Sequence, residues 1–353
     1  HANPSHFPQW YRAFLRRPDA RGTRVEFLAI HNGEALAAVF PVGVERFRRF
    51  NLVQLSIPIN IEINSVPDIV VGANQDHREL FEFFLRSAKT IEGFKWHVLV
   101  VKKTLADSHI SKCITSVNRF TTTQSFLGHS CYFNVGGSQE GALELPKKVK
   151  ARLRNAKNRL HSAGASEFEV VDDPAAVMEA FSAFAELEVT GWKAQADHGK
   201  SDYNHGQAIA LNASKHGFYR DVVSAFAERG DVEMFKLNLN GRPIAVLIAV
   251  VLRGDCYLLR TAYDEGHARL SPGVLLFDFV LQHNLDNPKV TTVTLFSDFR
   301  WMDAWHPLRH DYVSYHCFNT TIASLSFGTA RLVRGAMGSV YRRLRGEPLA
   351  SER

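Results

Sequence analysis

The residues best able to do chemistry stand together between Cys256 and Leu276. An apolar run from Cys256 to Leu259 reads as a strand that continues to Tyr263, and Pro272-Gly273 then opens a segment with helical spacing. A chain that turns from a strand into a helix presents backbone N–H groups with no intrahelical partner and a partial positive charge. That combination binds phosphate, here around Ser271, Gly273 and Val274. Arg269, just before the turn, adds a charge-assisted contact. Strand–glycine–helix turns that bind nothing share this pattern, so the stretch alone leaves both readings open. Other chemistries find less support. The four cysteines (Cys113, Cys131, Cys256, Cys317) are far apart and form no CxxC pair, which argues for buried thiols in a reducing compartment rather than disulfides or zinc. Sixteen histidines, His306, His310 and His316 among them, match no zinc spacing, so no metal is expected. No GxSxG elbow, P-loop or dinucleotide fingerprint occurs.

The elements that must position this stretch form an internal echo. Val25–Ile30, an Asn32-Gly33 turn and Ala35–Val42 are matched far downstream by Val232–Leu239, Asn240-Gly241 and Ile244–Val251. Asn-Gly accepts the positive φ of a tight hairpin, so both segments predict β-hairpins. After the first come a helix near Asp76–Ile91, a strand at Trp96–Lys102, a helix near Asp107–Val117 and strand-rich sequence to Val135. After the second come a strand at Cys256–Tyr263, a helix at Val274–Asn284 and a strand at Thr291–Phe296. Strands alternating with helices predict α/β architecture with mixed sheets. Gly136-Gly137-Ser138 reads as a linker, dividing the chain into an N-terminal half (1–136) and a C-terminal half (137–353).

Between the halves lies a basic helix, Leu145–Ala163. Its apolar residues Val149, Leu153, Ala156 and Leu160 fall on one stripe, seven lysines and arginines occupy most of the rest, and Gly164 ends it. It is either a solvated face or a positive surface beside an anionic donor or substrate. Asp173-Pro174 caps a further helix. The basic, helical segment from about Ala323 to Leu344 either packs on the body or touches an anionic membrane surface. A hydrophobic fraction of 45% and a charged fraction of 22% are those of a globular protein with a full core. The net charge of +6 fits anionic partners and equally an ordinary basic enzyme. No apolar run is long enough to span a bilayer and no signal-peptide pattern opens the sequence, so a cytoplasmic location is expected, with peripheral contact at the inner membrane as an option.

Arg260-Thr261-Ala262-Tyr263-Asp264-Glu265, followed by Ala268 to Leu276, resembles the acyl-donor segment of GNAT-type acetyltransferases related to the CelD family of cellulose biosynthesis. Glu188-Val189-Thr190-Gly191-Trp192-Lys193 resembles that family's Glu-x-Ser-Gly-Trp-Lys element. Asn240-Gly241-Arg242-Pro243-Ile244-Ala245 resembles its hairpin turn, and the helix with Arg152, Arg154, Asn155 and Arg159 its Arg-rich helix. The matches span about Leu145–Trp305; the N-terminal half matches mainly through its hairpin. Two departures stand out. Pro272 replaces the first glycine of the usual donor loop, and Ser297-Asp298-Phe299-Arg300-Trp301 lacks the lysine that several relatives carry there.

The resemblance implies two tandem GNAT-like domains, similar in arrangement to Fem peptidyltransferases. It also implies acetyl-CoA or another acyl-CoA as cosubstrate in the C-terminal half. An amine then attacks the thioester directly, with an oxyanion contact from the backbone near Thr261, Ala262 and Tyr263. Asp298 is the first candidate for the base, followed by Asp264 and Glu188, each of which could instead cap a loop or pair with an arginine. Tyr263 is the candidate to protonate the departing thiolate. Trp192, Lys193 and Trp301 would line the acceptor site, whether for a small-molecule amine or an amino sugar in envelope or polysaccharide synthesis. Two alternatives remain: a Fem-like transferase using aminoacyl-tRNA, with the basic helix on the nucleic acid, and a non-catalytic binding protein on the same fold.

Overall fold

A computed structural model describes residues 4–17, 25–47, 52–58, 66–90, 95–118, 120–136, 145–191 and 208–319. In chain order the main elements are α1 (Pro8–Arg16), β1 (Val25–Asn32), β2 (Ala35–Phe47), β3 (Leu52–Ile57), β4 (Val70–Val71), α2 (His77–Thr90), β5 (Val98–Leu105), α3 (His109–Thr115) and β6 (Thr121–Asn134). There follow α4 (Lys147–Ala163), β7 (Ser166–Val171), α5 (Pro174–Thr190), α6 (Ala213–Ala227), β8 (Val232–Leu239), β9 (Arg242–Leu252), β10 (Asp255–Tyr263), α7 (Pro272–Leu285), β11 (Thr292–Leu295) and β12 (Leu308–Phe318). The mixed α/β architecture agrees with the expectation. The segment expected to be helical from Ala323 to Leu344 lies outside the described residues.

Two compact units emerge, neither of them continuous in sequence. The larger takes His1–Arg21, Ile61–Ser65 and Ser130–Arg309; the smaller takes Gly22–Asn60, Val66–His129 and His310–Arg353. In the smaller unit the strands run β1-β2-β3-β5-β12, all antiparallel neighbours except the parallel pair β3–β5, which α2 connects. In the larger unit they run β8-β9-β10-β11, followed by the last residues of β6, with β7 outside β8. Here β10–β11 is the parallel pair, and α7 connects it. The echo heard in the sequence is thus a repeated topology: hairpin, third strand, crossover helix, parallel fourth strand.

Local rules account for the elements. In the β8–β9 turn Asn240 and Gly241 both take positive φ, 51° and 75°, as a type I′ turn requires. In the β1–β2 turn only Gly33 does (φ 61°), because the turn residues are Gly33 and Glu34 rather than Asn32 and Gly33. Asp173 accepts from the Ala175 and Ala176 amides and so starts α5. The α4 stripe of Val149, Leu153, Ala156 and Leu160 is buried as expected, against a core that includes Leu237, Leu276 and Val293. Phe40, Phe81, Phe84, Leu99 and Tyr315 build the separate core of the smaller unit. All four cysteines are buried free thiols.

Candidate active site

The site grows from the end of β10. Its parallel ladder with β11 runs from Asp255↔Thr292 to Leu258↔Leu295 and stops there. On the other side the register against β9 slips between Leu258 and Arg260, and β10 continues to Tyr263 opposite Ala245. Past Leu258 the strand therefore continues beyond its ladder with β11, with the bulge at the point where it does so. Thr261, Ala262 and Tyr263 lie on this extension.

Beyond it, Asp264 nucleates a short 3-10 helix, Glu265–Leu270. One carboxylate oxygen accepts from the Gly266 amide at 2.8 Å and the other meets His267 Nδ1 at 2.8 Å. Ser271 then takes a left-handed conformation (φ 59°, ψ 48°), and Pro272 begins α7. The Ser271 amide is used by the Ala268 carbonyl at 2.9 Å, and the Ser271 side chain makes no cap. Pro272 has no N–H, so the first-turn donors of α7 are the Gly273 and Val274 amides. Gly273 has its own reason to be glycine: a Cβ there would stand 3.3 Å from the Tyr263 ring.

The guanidinium at this turn belongs to α4. Arg159 Nε donates to the Arg269 carbonyl at 3.0 Å, and Arg159 Nη2 lies 3.5 Å from Ser271 Oγ. Lys157, on the opposite flank of α4, meets the buried Asp278 of α7 at 2.7 Å. The Arg269 side chain itself is exposed. The sequence left α4 as either a solvated face or a positive surface beside an anionic donor or substrate, and did not single out Arg159 within it.

All three candidate carboxylates have partners. Glu188, on α5, is buried; one oxygen accepts from Arg260 Nε at 2.6 Å and the other from the Ile209 amide at 2.7 Å. Arg260 lies over the Tyr219 ring at 5.6 Å. Burial by itself lowers the pKa of Arg260, but Tyr219 and Glu188 outweigh it and the net shift is upward. Three residues beyond Glu188, a side chain at Gly191 would lie 3.6 Å from the Tyr263 carbonyl, so the end of α5 borders the end of β10. Asp298, past β11, accepts from Arg309 Nε at 3.0 Å and from Cys131 Sγ at 3.1 Å, and Arg309 also pairs with Asp303. The Cys131 thiol is pushed up to about 12, by burial first and then by its hydrogen bond to Asp298, so it stays a thiol. Trp301, half exposed, packs edge-on against Phe277 of α7 with ring centroids 5.5 Å apart. The structure therefore gathers Thr261, Ala262, Tyr263, Asp264, Ser271, Gly273 and Val274 on one strand–turn–helix, with Glu188 tied to it through Arg260. Trp192 and Lys193 lie outside the described residues, among which no three His, Cys, Asp or Glu side chains cluster as a metal site.

A strand delivered into an uncapped helix start presents amides that suit an anionic group such as a phosphate. Residues 147–296 match the family described as Acetyltransferase (GNAT) domain. The matched segment holds α4, the β8–β9 hairpin, β10, α7 and β11. Over nearly the whole chain the fold is similar to that of FemX, with 11% identity, 89% of this chain and 92% of that chain covered, and a TM-score of 0.58. It is also similar to L-PGS from Bacillus licheniformis (12%, 94% and 97%, 0.52) and to a conserved protein of unknown function from Bacteroides thetaiotaomicron (13%, 88% and 88%, 0.52). At such identities the likeness is one of fold. No curated protein matches the chain.

Arg260 was legible as a signal although no role was assigned to it. A guanidinium directly after the apolar run Cys256–Leu259 demands a buried counter-charge. Nothing in the sequence pointed to Tyr219 as its neighbour, or to the Ile209 amide as a second donor to Glu188.

Proposed function

We propose that the protein is a thioester-dependent N-acyltransferase. Acetyl-CoA or another acyl-CoA lies with its diphosphate on the Gly273 and Val274 amides and its thioester beside Thr261–Tyr263. The observation that carries this reading is the helix start itself: α7 begins without a side-chain cap after β10 has run past its ladder with β11, and Arg159 borders it. The amine nitrogen attacks the thioester carbonyl carbon and forms the C–N bond. The C–S bond breaks, the ammonium proton passes to a base, and the thiolate takes up a proton. Backbone N–H groups of the β10 extension stabilise the oxyanion.

Of the three carboxylates we assign the base to Asp264. It sits at the strand end, its side chain is 34% exposed, and its contact with His267 offers the proton a path to solvent. Asp298 is held by Arg309, and Glu188 is sealed against Arg260, which fits both better to holding structure in place. Tyr263 supplies the proton to the leaving thiolate. The acceptor is a small amine or amino sugar, with Trp301 as an aromatic wall, and the narrower CelD-like kinship suggests polysaccharide or envelope synthesis. Titration calorimetry with acetyl-CoA and longer acyl-CoAs tests the donor: binding that free CoA competes away is expected, and no heat with any of them would refute the reading. Asp264→Asn should then lower kcat by about 10²–10⁴ while leaving donor affinity in place.

A further inference from the structure

The exposed face of α4 carries more charge than the donor turn uses. Arg159 is engaged at that turn and Lys157 by Asp278. Lys147, Lys148, Lys150, Arg152 and Arg154 are all exposed, and among the described residues no carboxylate pairs with any of them. The helix itself contains no Asp or Glu. Five cations on one rigid element, unpaired with carboxylates among the described residues, raise the local potential, which favours an anionic partner. Lys148, Arg152 and Arg159 fall at i, i+4 and i+11, so they form one flank. By helix rise it runs about 16 Å from the donor turn outward. One small donor seated at α7 reaches the Arg159 end of this flank and leaves the rest free.

The chemistry of the face narrows the partner. Its apolar residues Val149, Leu153, Ala156 and Leu160 are all buried, so it offers nothing to insert into a lipid surface. It has no aromatic side chain on which a base could stack, whereas single-stranded nucleic acid sites combine cations with such platforms. What remains is a firm, hydrated row of lysines and arginines suited to salt bridges with carboxylates on a protein.

We infer that α4 docks an acidic carrier protein that presents the acyl thioester on a phosphopantetheine arm, an inference resting on the reading of the α7 turn as the donor site. The arm's phosphate reaches the Gly273 and Val274 amides, as that of a CoA would, and the carrier's acidic face covers Lys148, Arg152 and their neighbours. The bonds made and broken are those of the CoA reaction.

The test uses the full chain, fluorescently labelled octanoyl-acyl carrier protein and octanoyl-CoA, with binding read by anisotropy and calorimetry. The carrier is expected to bind the wild type with an affinity that falls at least about 10-fold between roughly 50 and 200 mM salt. The pair Lys148→Glu with Arg152→Glu should weaken carrier binding by about 10-fold or more while octanoyl-CoA affinity changes less than about 2-fold. Lys150→Glu with Arg154→Glu, on the other flank, provides a second, independent variant. Wild-type melting temperatures in both variants show that folding is intact, as expected for exposed side chains without partners. If octanoyl-CoA binds and the carrier does not, or if neither pair of reversals weakens the carrier, the inference is overturned while the donor site stands. If neither octanoyl-CoA nor the carrier binds, the donor-site reading fails and takes the inference with it. A single-stranded RNA or a phosphatidylglycerol vesicle that binds more tightly than the carrier, and loses affinity in the same variants, would also overturn it.

Discussion

Replacing Glu188 by glutamine keeps the shape of the side chain and removes its charge. Both Glu188 oxygens accept hydrogen bonds, one from Arg260 Nε at 2.6 Å and one from the Ile209 amide at 2.7 Å. An amide offers only one oxygen, so Glu188→Gln must turn its NH2 group against one of two N–H donors. It also leaves the Arg260 guanidinium, 11% exposed, without its counter-charge. Breaking a buried pair from one side costs about 3–5 kcal/mol. At about 2–4 °C per kcal/mol, the lower figure gives a fall in Tm of roughly 6–12 °C. Replacing the partner as well, Glu188→Met with Arg260→Met, removes the stranded charge and should recover much of that loss, giving a coupling of about 1–3 kcal/mol in the double-mutant cycle. Thermal melts by circular dichroism measure the first quantity, and steady-state kinetics on the same samples separate stability from catalysis. A Glu188→Gln protein that melts with the wild type but has lost about 100-fold or more in kcat would refute the argument and make Glu188 the base.

Ser271→Asp places a carboxylate against the α7 amides and should abolish acyl-CoA binding in calorimetry while leaving Tm unchanged or slightly raised. Arg159→Ala should raise the donor KM by about 10-fold with little change in kcat, because the contact is made equally in ground and transition states. Glu233, on β8, is held above its ordinary pKa by burial first and by Asp172 next, and its Oε2 makes no hydrogen bond among the described residues. His283 Nε2 stands 3.7 Å away with its own pKa lowered by burial, so it stays neutral near pH 7 and does not compensate. A raised folded-state pKa means that stability is present below the ordinary carboxylate range and is lost as pH rises through the raised value. Glu233→Gln should therefore melt higher at about pH 7, by about 1 kcal/mol in stability, and the gain should vanish toward about pH 4. At Gly136 a Cβ would come within 2.7 Å of the Thr291 Cα, so Gly136→Ala should cost about 1–3 kcal/mol in denaturant unfolding.

Much of the framework was legible because it rests on local rules. The α4 stripe, the Asp173 cap with Pro174 and the Asn240-Gly241 turn each depend on residues within a few positions of one another. What escaped was set by distant partners. For Asp298 the sequence left a base or an arginine partner open, and only the structure names Arg309, eleven residues on, which takes both its oxygens. Glu188 appeared within a short motif, yet what it does is decided by Arg260, 72 positions away. The guanidinium at the start of α7 comes from 110 positions upstream of Arg269, which itself contributes its carbonyl. Charge counting by sequence window finds such residues but cannot assign their partners.

The repeated topology raises the question of why we propose the donor at α7 and not at α2. Helix α2 crosses from β3 to β5 just as α7 crosses from β10 to β11. At the start of α2, however, Asp76 accepts from the Arg78 amide at 2.8 Å and from the Glu79 amide at 3.0 Å. Its carboxylate occupies the position a phosphate would take and brings a negative charge with it. At the start of α7 the corresponding residue is Ser271, left-handed and without a side-chain cap, and the next residue is a proline. The same crossover helix starts with capped amides in one copy and uncapped amides in the other, and the difference lies in the backbone: Ser271 is left-handed, so a residue type that ordinarily caps leaves its amides uncapped, and Pro272 follows. On our proposal that difference places the donor at α7 rather than at α2.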